Sequence, residues 1–413
     1  MSPPVEEGSY QTQPDEFPDG GTRAWLVLLG TVCATFSTFG YFACWGVFQT
    51  YYEESVMPGR SPSDIAWIGS MQTALCIMPG ILTGRMFDLG YFKIPYLISS
   101  LLLVISTVLV AECTEYWHFM LCQGLATGIA CGGLYGPTMG CLGHYFKRRR
   151  GLALGIAGAG SASGGVVFPI ASRLLLSKVG FQWTMRILAL ILLCALTVTN
   201  ITLKRRLPPR KLTSGLINWK SLKSPAFASY IVASFLVWHT IFTMLTYLDI
   251  SSMRVGISPD FSFYLLAILN AGSVVGRIAS GPFIDRFGCI NILAPLTILS
   301  GVLTIVWPHL RTVSGLIPLA VFYGITSGAY LAACLAVVFQ LGPVEEVGQR
   351  TGIVLTVSAI GALAGPPTSG AINFATGGYA AVGGYAGAVT FLGVAMMFVT
   401  RYYVLRGKFV GKV

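Results

Sequence analysis

Charge is what this chain has least of. Only 10% of its 413 residues are Asp, Glu, Lys or Arg, against about 25% in an ordinary soluble domain. So few charges cannot clothe a water-exposed surface, and the net charge of +11 is therefore not read as a nucleic-acid-binding face. Histidine is scarcer still: His118, His144, His239 and His309 are scattered along the chain, which leaves no His/Asp/Glu cluster for catalysis within a membrane. No GxxxxGK[ST] loop is present to cradle the phosphates that a primary pump would need. The ten cysteines contain no CxxC pair, and most fall in apolar stretches, so neither a disulfide framework nor a metal site is expected. No catalytic residue and no cofactor are expected.

Apolar length is what the chain has in abundance, at 54% of its residues. Twelve spans can be drawn, at 24–52, 65–84, 94–111, 117–142, 151–176, 181–203, 225–248, 261–283, 290–307, 313–341, 351–372 and 381–404. Each is long enough to cross a hydrocarbon core of about 30 Å. The reading is an all-α membrane protein with lipid as its solvent. With the N-terminus in the cytosol, 20 of the 27 Lys and Arg fall on cytosolic segments, four on the other side and three (Arg173, Arg186, Arg277) within spans. Short loops rich in Lys and Arg stay cytosolic, so both termini are expected there.

One stretch organises the rest. Lys147-Arg148-Arg149-Arg150 ends abruptly in a small-residue run, in which Gly155, Ala159 and Ser163 recur at i, i+4 and i+8. The cations orient one helix, and the small residues let helix backbones approach closely in lipid. Two loops then echo one another: Gly84 to Lys93 and Gly281 to Gly288, whose leading glycines stand 197 residues apart, each with an Asp four residues on (Asp88, Asp285). This is the trace of an internal repeat of six helices. The expected organisation is a cytosolic tail at 1–23, a six-helix bundle at 24–203, a basic Pro-containing cytosolic linker at 204–224, a second bundle at 225–404 and a short tail at 405–413. Residues 1–18 are polar and acidic and read as disordered.

These residues carry a resemblance. The repeated loops are similar to the G-x-x-x-D-x-x-G signature of the major facilitator superfamily; the second copy fits in spacing, and the first has its second Gly (Gly90) one residue early. Three further stretches resemble the monocarboxylate-porter branch in its fungal form. They are Asp19-Gly20-Gly21 with Ala24-Trp25, Tyr145 to Gly164 with Arg148 where Lys is usual, and Gly365-Pro366-Pro367-Thr368-Ser369-Gly370 with Thr376-Gly377 and Tyr379. Thr22-Arg23 departs from the aromatic usual at that place. The resemblance implies two six-helix bundles rocking about a site near the bilayer midplane, a small-molecule substrate, a monomer, and a cell-membrane location or else a vacuolar or vesicular one. Many fungal members serve export of secondary metabolites, which makes efflux the leading reading. Monocarboxylate or riboflavin-like vitamin uptake is the alternative, and a non-transporting nutrient sensor the alternative of another class.

Ionisable residues inside a membrane are costly and hence candidates for function. Arg277 lies well within the eighth span, with Ser273 and Asn270 one and two turns earlier on the same face. The resemblance implies an anion-binding role for it, and a guanidinium fork suits a carboxylate; snorkelling to the interface is the structural alternative. The branch's animal members carry an Asp where this chain has Ser273, and a first-helix Lys where it has Trp45 or Gly46. No acid lies in the middle of any span. His239 remains as a proton relay or as a partner in one interhelical hydrogen bond. Tyr41 and Trp45, in a stripe with Gln49, and Tyr330 serve either as cavity wall or as core packing. Arg85, Asp88, Asp285 and Arg286 are expected to latch the cytosolic gate, where partly buried pairs bias a two-state equilibrium.

Overall fold

The computed structural model describes residues 18–60, 62–207, 219–342, 346–408 and 411. All regular structure among them is helical, and eleven helices are long and apolar enough to cross a membrane. They are α1 (Gly21–Val56), α2 (Asp64–Asp88), α3 (Lys93–Val110), α4 (Tyr116–Gly143), α5 (Arg150–Thr202), α6 (Pro225–Arg254), α7 (Phe261–Phe287), α8 (Cys289–His309), α9 (Val313–Gln340), α10 (Val347–Thr376) and α11 (Tyr379–Val404). The expected disorder of residues 1–17 and most of the expected linker, 208–218, lie outside the described residues. The first helix begins at Gly21, inside the expected tail.

Local sequence explains the irregularities. Residues 150–202 run as one 53-residue element interrupted at Gly180, whose φ of 75° and ψ of 175° are non-helical. The two spans expected at 151–176 and 181–203 therefore meet almost without a loop, at a backbone conformation that glycine adopts at little cost. Helix α1 widens into π-helical turns at Phe36–Gly40 and Tyr52–Val56. Gly40 of α1 sits against Gly164 of α5, where a Cβ would come within 2.7 Å of the neighbouring Cα. This is the close approach that the small-residue run foretold. Pro137, Pro169, Pro282, Pro295, Pro318, Pro366 and Pro367 all lie inside helices, tolerated because neighbouring groups re-satisfy the freed carbonyls. All ten cysteines are free thiols.

Helices α1–α5 pack chiefly on one another, as do α6–α11; between the two groups α5 lies along α7 and α9, and α2 along α10. The Asp19 N–H donates to the Tyr145 carbonyl at 3.0 Å, and Asn291 Nδ2 donates to the Gly411 carbonyl at 2.8 Å. Asp19, before α1, and Gly411, after α11, therefore share one face with the α2–α3, α4–α5 and α7–α8 links. We call it the terminal face. Ile94, Leu101, Ile105, Leu190 and Ile201 point outward and exposed, an apolar girdle suited to lipid.

Candidate functional site

The two helix groups meet at the terminal face through carboxylates that cross the seam. Asp285 of α7 accepts from the Gly151 N–H (2.6 Å) and the Leu152 N–H (3.0 Å) of α5. Asp88 of α2, only 4% exposed, accepts from the Gln349 N–H of α10 at 2.9 Å. First-turn N–H groups lack intrahelical partners and carry the positive end of the helix dipole, so a carboxylate there is stabilising. Gly151 and Gly348 stand 197 residues apart, as do Asp88 and Asp285. Each half thus caps a helix of the other by the same device. The backbones approach to match: a Cβ at Gly84 would lie 2.3 Å from the Gly348 carbonyl oxygen, and one at Gly281 would lie 2.6 Å from Leu152 Cα.

A third carboxylate joins them from before α1. Asp19, at a φ of 43°, accepts through Oδ1 from the N–H groups of Lys147 and Arg148, both at 2.7 Å, and of Arg149 at 3.2 Å. The N-cap of α1 is Gly20, and no side chain caps it. Asp19 instead fills a nest of successive amides. Five of the six N–H groups from Lys147 to Leu152 are thereby held by two carboxylates, one from each half. Arg150, between them, donates through Nε to the Phe146 carbonyl at 3.0 Å and stacks its guanidinium 4.5 Å from the Phe339 ring of the second half.

The gate cations fall differently. Arg286 is exposed, its guanidinium 5.3 Å from the ring of adjacent Phe287, and Arg85 is half-buried on α2. The cations gathered around Asp88 are Arg205, whose Nη2 donates to the Asp88 carbonyl at 2.9 Å, and Arg350. Arg350 is 1% exposed and its Nη1 donates to the Val338 carbonyl at 3.4 Å. Beside them His144 is buried against Phe87. Burial first, then Arg205 and Arg206, push its imidazole down to about 3, so it is neutral near pH 7.

Deeper in the seam lies Arg277. Its Nε donates to Ser273 Oγ on its own helix at 3.1 Å. Its Nη1 reaches across to α5, donating to the Gly158 carbonyl at 2.9 Å and to Ser161 Oγ at 2.6 Å. Asn270, two turns on, lies 3.5 Å through Nδ2 from the Gly165 carbonyl. Tyr135 of α4 is edge-on to Phe39, with ring centroids 4.7 Å apart. The expected trio of Arg277, Ser273 and Asn270 is therefore together at the seam. Its partners Gly158 and Ser161 were read only as small packing residues. The repeat locates the level of this contact and not those partners: 197 residues before Arg277 stands Gly80, which faces Gly352 of α10, and 197 residues before Gly352 stands Gly155, which faces the Arg277 carbonyl.

The remaining candidates are engaged within their own halves. Tyr41 is buried against Phe168. Trp45 lies over Gly69 and donates through Nε1 to Gln49 Oε1 at 3.0 Å, and Gln49 passes a bond of 2.9 Å to Glu53. His239 shares a hydrogen bond of 2.9 Å with Tyr385 of α11, the interhelical pairing that was one of its two readings. Tyr330 is buried in the core.

Comparison with known proteins agrees with this architecture. Residues 27–317 and 256–411 match the family described as Major Facilitator Superfamily. The aspyridones efflux protein of Emericella nidulans is 34% identical over 93% of this chain and 79% of its own length. The fujikurins efflux protein of Gibberella fujikuroi is 32% identical over 93% and 83%, and an MFS-type transporter of Gibberella moniliformis is 31% identical over 99% and 98%. Among solved structures, the human organic anion transporter MFSD10 superposes with a TM-score of 0.71 at 15% identity, covering 93% of this chain and 100% of that one. Sequence, helix packing and relatives converge: the chain belongs to the Major Facilitator Superfamily and is a multi-pass membrane transporter.

Proposed function

We propose that this protein exports a small organic anion of the secondary-metabolite class by alternating access. Two six-helix bundles would rock about the seam between α5–α7 and α2–α10, with both termini cytosolic and the protein in the cell membrane. Twelve crossings follow if α5 crosses twice, since 53 residues at about 1.5 Å each make about 80 Å, far more than one bilayer core. The efflux proteins among the relatives support the direction and the metabolite class. Motifs around Asp19, Tyr145 and Gly365 support the monocarboxylate-porter branch, and Ser273 and Trp45 at its acid and lysine positions favour a substrate other than a simple monocarboxylate.

The observation that carries the reading is Arg277. It is a guanidinium within a membrane span, at the seam of the two halves, and its Nη2 makes no hydrogen bond among the described residues. Such a group costs free energy to place there unless an anion or a functional cycle uses it. A substrate carboxylate or enolate would take the free donors, and the bonds to Gly158 and Ser161 are those it would displace as the halves part. The test is counterflow in proteoliposomes, pairing aromatic carboxylic acids with lactate, pyruvate and riboflavin. Saturable exchange of an aromatic acid should fall by about 10-fold or more in Arg277→Ala, the worth of a charge-assisted hydrogen bond of about 1.5–3 kcal/mol. Exchange of neutral compounds that survives the substitution would overturn the anion reading.

A further inference from the structure

A second place in the molecule is built for an anion. On the face opposite the termini, the second half holds a cavity of about 600 Å³, lined by Arg254 at the end of α6, Arg311 between α8 and α9, Ser251, Ser252, Trp307 and Tyr379, with apolar neighbours such as Leu316. That volume lies within the range of about 300–1,000 Å³ usual for small-molecule sites. No carboxylate lines it among the described residues.

Its wall is held in place. Trp307, 1% exposed, donates through Nε1 to Ser251 Oγ at 3.0 Å, and its ring lies 5.4 Å from that of Tyr379. Tyr247 backs Tyr379 at 5.8 Å, with its own hydroxyl donating to the Pro366 carbonyl at 2.8 Å. The rim carries the charge. The Arg254 guanidinium stacks 5.1 Å from the Tyr379 centroid and reaches Asn373 Oδ1 at 3.4 Å, a long bond that leaves most of its donors free. Arg311 is exposed and makes no hydrogen bond or ion pair among the described residues.

Arg254 alone has an ordinary explanation, since a cation in the last turn of a helix complements its dipole. Arg311 lies in a link and has no such duty. Two like charges facing one cavity repel each other, and an anion between them relieves that repulsion while accepting from both forks.

We propose that this cavity is an accessory anion site. It takes an oxyanion between Arg254 and Arg311, carried on a flat or acyl body that lies against Trp307 and Tyr379. Its arginines come from α6 and the α8–α9 link, so the site does not depend on Arg277. One chemistry has two sources here: a free aromatic acid on this face, or an anionic phospholipid headgroup, because the cavity lies at the helix ends where headgroups sit.

The experiment uses full-length protein in phosphatidylcholine nanodiscs, with equilibrium binding of radiolabelled 2-naphthoate to the wild type, Arg311→Gln, Arg254→Gln/Arg311→Gln and Arg277→Ala. Thermal stability confirms that each variant is folded. A naphthoate component weakened by about 10-fold in Arg311→Gln, abolished in the double variant and retained in Arg277→Ala supports the site. In a second arm phosphatidylglycerol replaces part of the phosphatidylcholine, and retained lipid is counted by native mass spectrometry. Phosphatidylglycerol that displaces naphthoate from the wild type, and is retained less by the folded double variant, assigns the headgroup as occupant; absence of displacement assigns the free acid. Equal naphthoate binding and equal phosphatidylglycerol retention in wild type and folded double variant would overturn the proposal. So would loss of all naphthoate binding in Arg277→Ala alone with phosphatidylglycerol retention equal in wild type and double variant.

Discussion

Two levels of the same seam obey different rules. At the terminal face the halves mirror one another: Asp88 caps α10 and Asp285 caps α5, with Gly84 against Gly348 and Gly281 against Gly151. One turn deeper the mirror breaks. Gly80 faces Gly352 on one side of the pseudo-two-fold, and on the other the equivalent position is Arg277, bonded to Gly158 and Ser161. Duplicated parts must close the two halves alike, and this is a mechanical requirement. Under the proposed anion reading, Arg277, present on one side only, meets a bound small molecule that is itself not symmetric. The exchange of caps has a further consequence. Each carboxylate meets the dipole of a helix in the other half, so this stabilisation exists only while the terminal face is closed.

The largest effect should come from denying the close approach. A leucine at Gly84 or Gly281 would drive its side chain into the backbone of the opposing helix, so the terminal face should fail to close. Spin labels at Tyr91 and Phe287, both exposed, should move apart and transport should fall below detection. Gly46→Leu, where a Cβ meets open space, should leave the distance unchanged. An unaltered distance in Gly84→Leu would remove the seam from the gate.

Neutralising one latch is a milder change. Asp88→Asn and Asp285→Asn should each shift the closed–open equilibrium by about 1–2 kcal/mol, since each replaces the carboxyl that accepts from a helix N-terminus by an amide. The same label pair reports both shifts, and their equality is the sharp test. A shift in one variant only would mean that the mirror is geometric without being energetic.

Asp19→Ala should cost about 1 kcal/mol of thermal stability or less, because its three bonds are solvent-exposed. Asp19 and Asp285 hold amides on either side of Arg150 at one helix end, so their effects should combine non-additively. Strict additivity would separate the N-terminal segment from the latch.

A further effect concerns His144. Its imidazole titrates near 3 in the folded protein because it is buried beside cations, and near 6.5 when unfolded. Between those values the unfolded chain binds the extra proton, so stability rises with pH and falls on acidification. The midpoint of thermal unfolding should drop between pH 7.5 and 5, and drop less in His144→Gln. An identical drop in both would assign the acid sensitivity to other groups.

Much of this was legible in the sequence, for a physical reason. Lipid demands about 20 apolar residues per crossing and internal satisfaction of every backbone polar group, so hydropathy alone gave the helices and their approximate ends. The interval of 197 residues between two Gly-x-x-x-Asp loops gave the repeat. Arg277, Ser273 and Asn270 could be grouped because a helix puts residues four and seven apart on one face. What Asp88, Asp285 and Asp19 do was not legible. A carboxylate's partner can be a backbone amide, and amides have no letter of their own in a sequence. Arg205 and Arg350 were counted as orienting charges, although tertiary structure gathers them at Asp88. The cavity between Arg254 and Arg311 joins a helix end and a link 57 residues apart, with neither periodicity nor motif to connect them.

By itself, then, the sequence determined that the chain lives in lipid, that its regular structure is helical and duplicated, and which cations stand inside spans. These are properties of composition and spacing, set by the solvent and by the helix period. Only the tertiary structure decided which helix ends the carboxylates cap, which α5 groups hold Arg277, and that His239 bonds to Tyr385. Those outcomes depend on how two halves distant in the chain are brought face to face. Close packing, resolved to a few ångströms, chooses among contacts that the sequence permits equally.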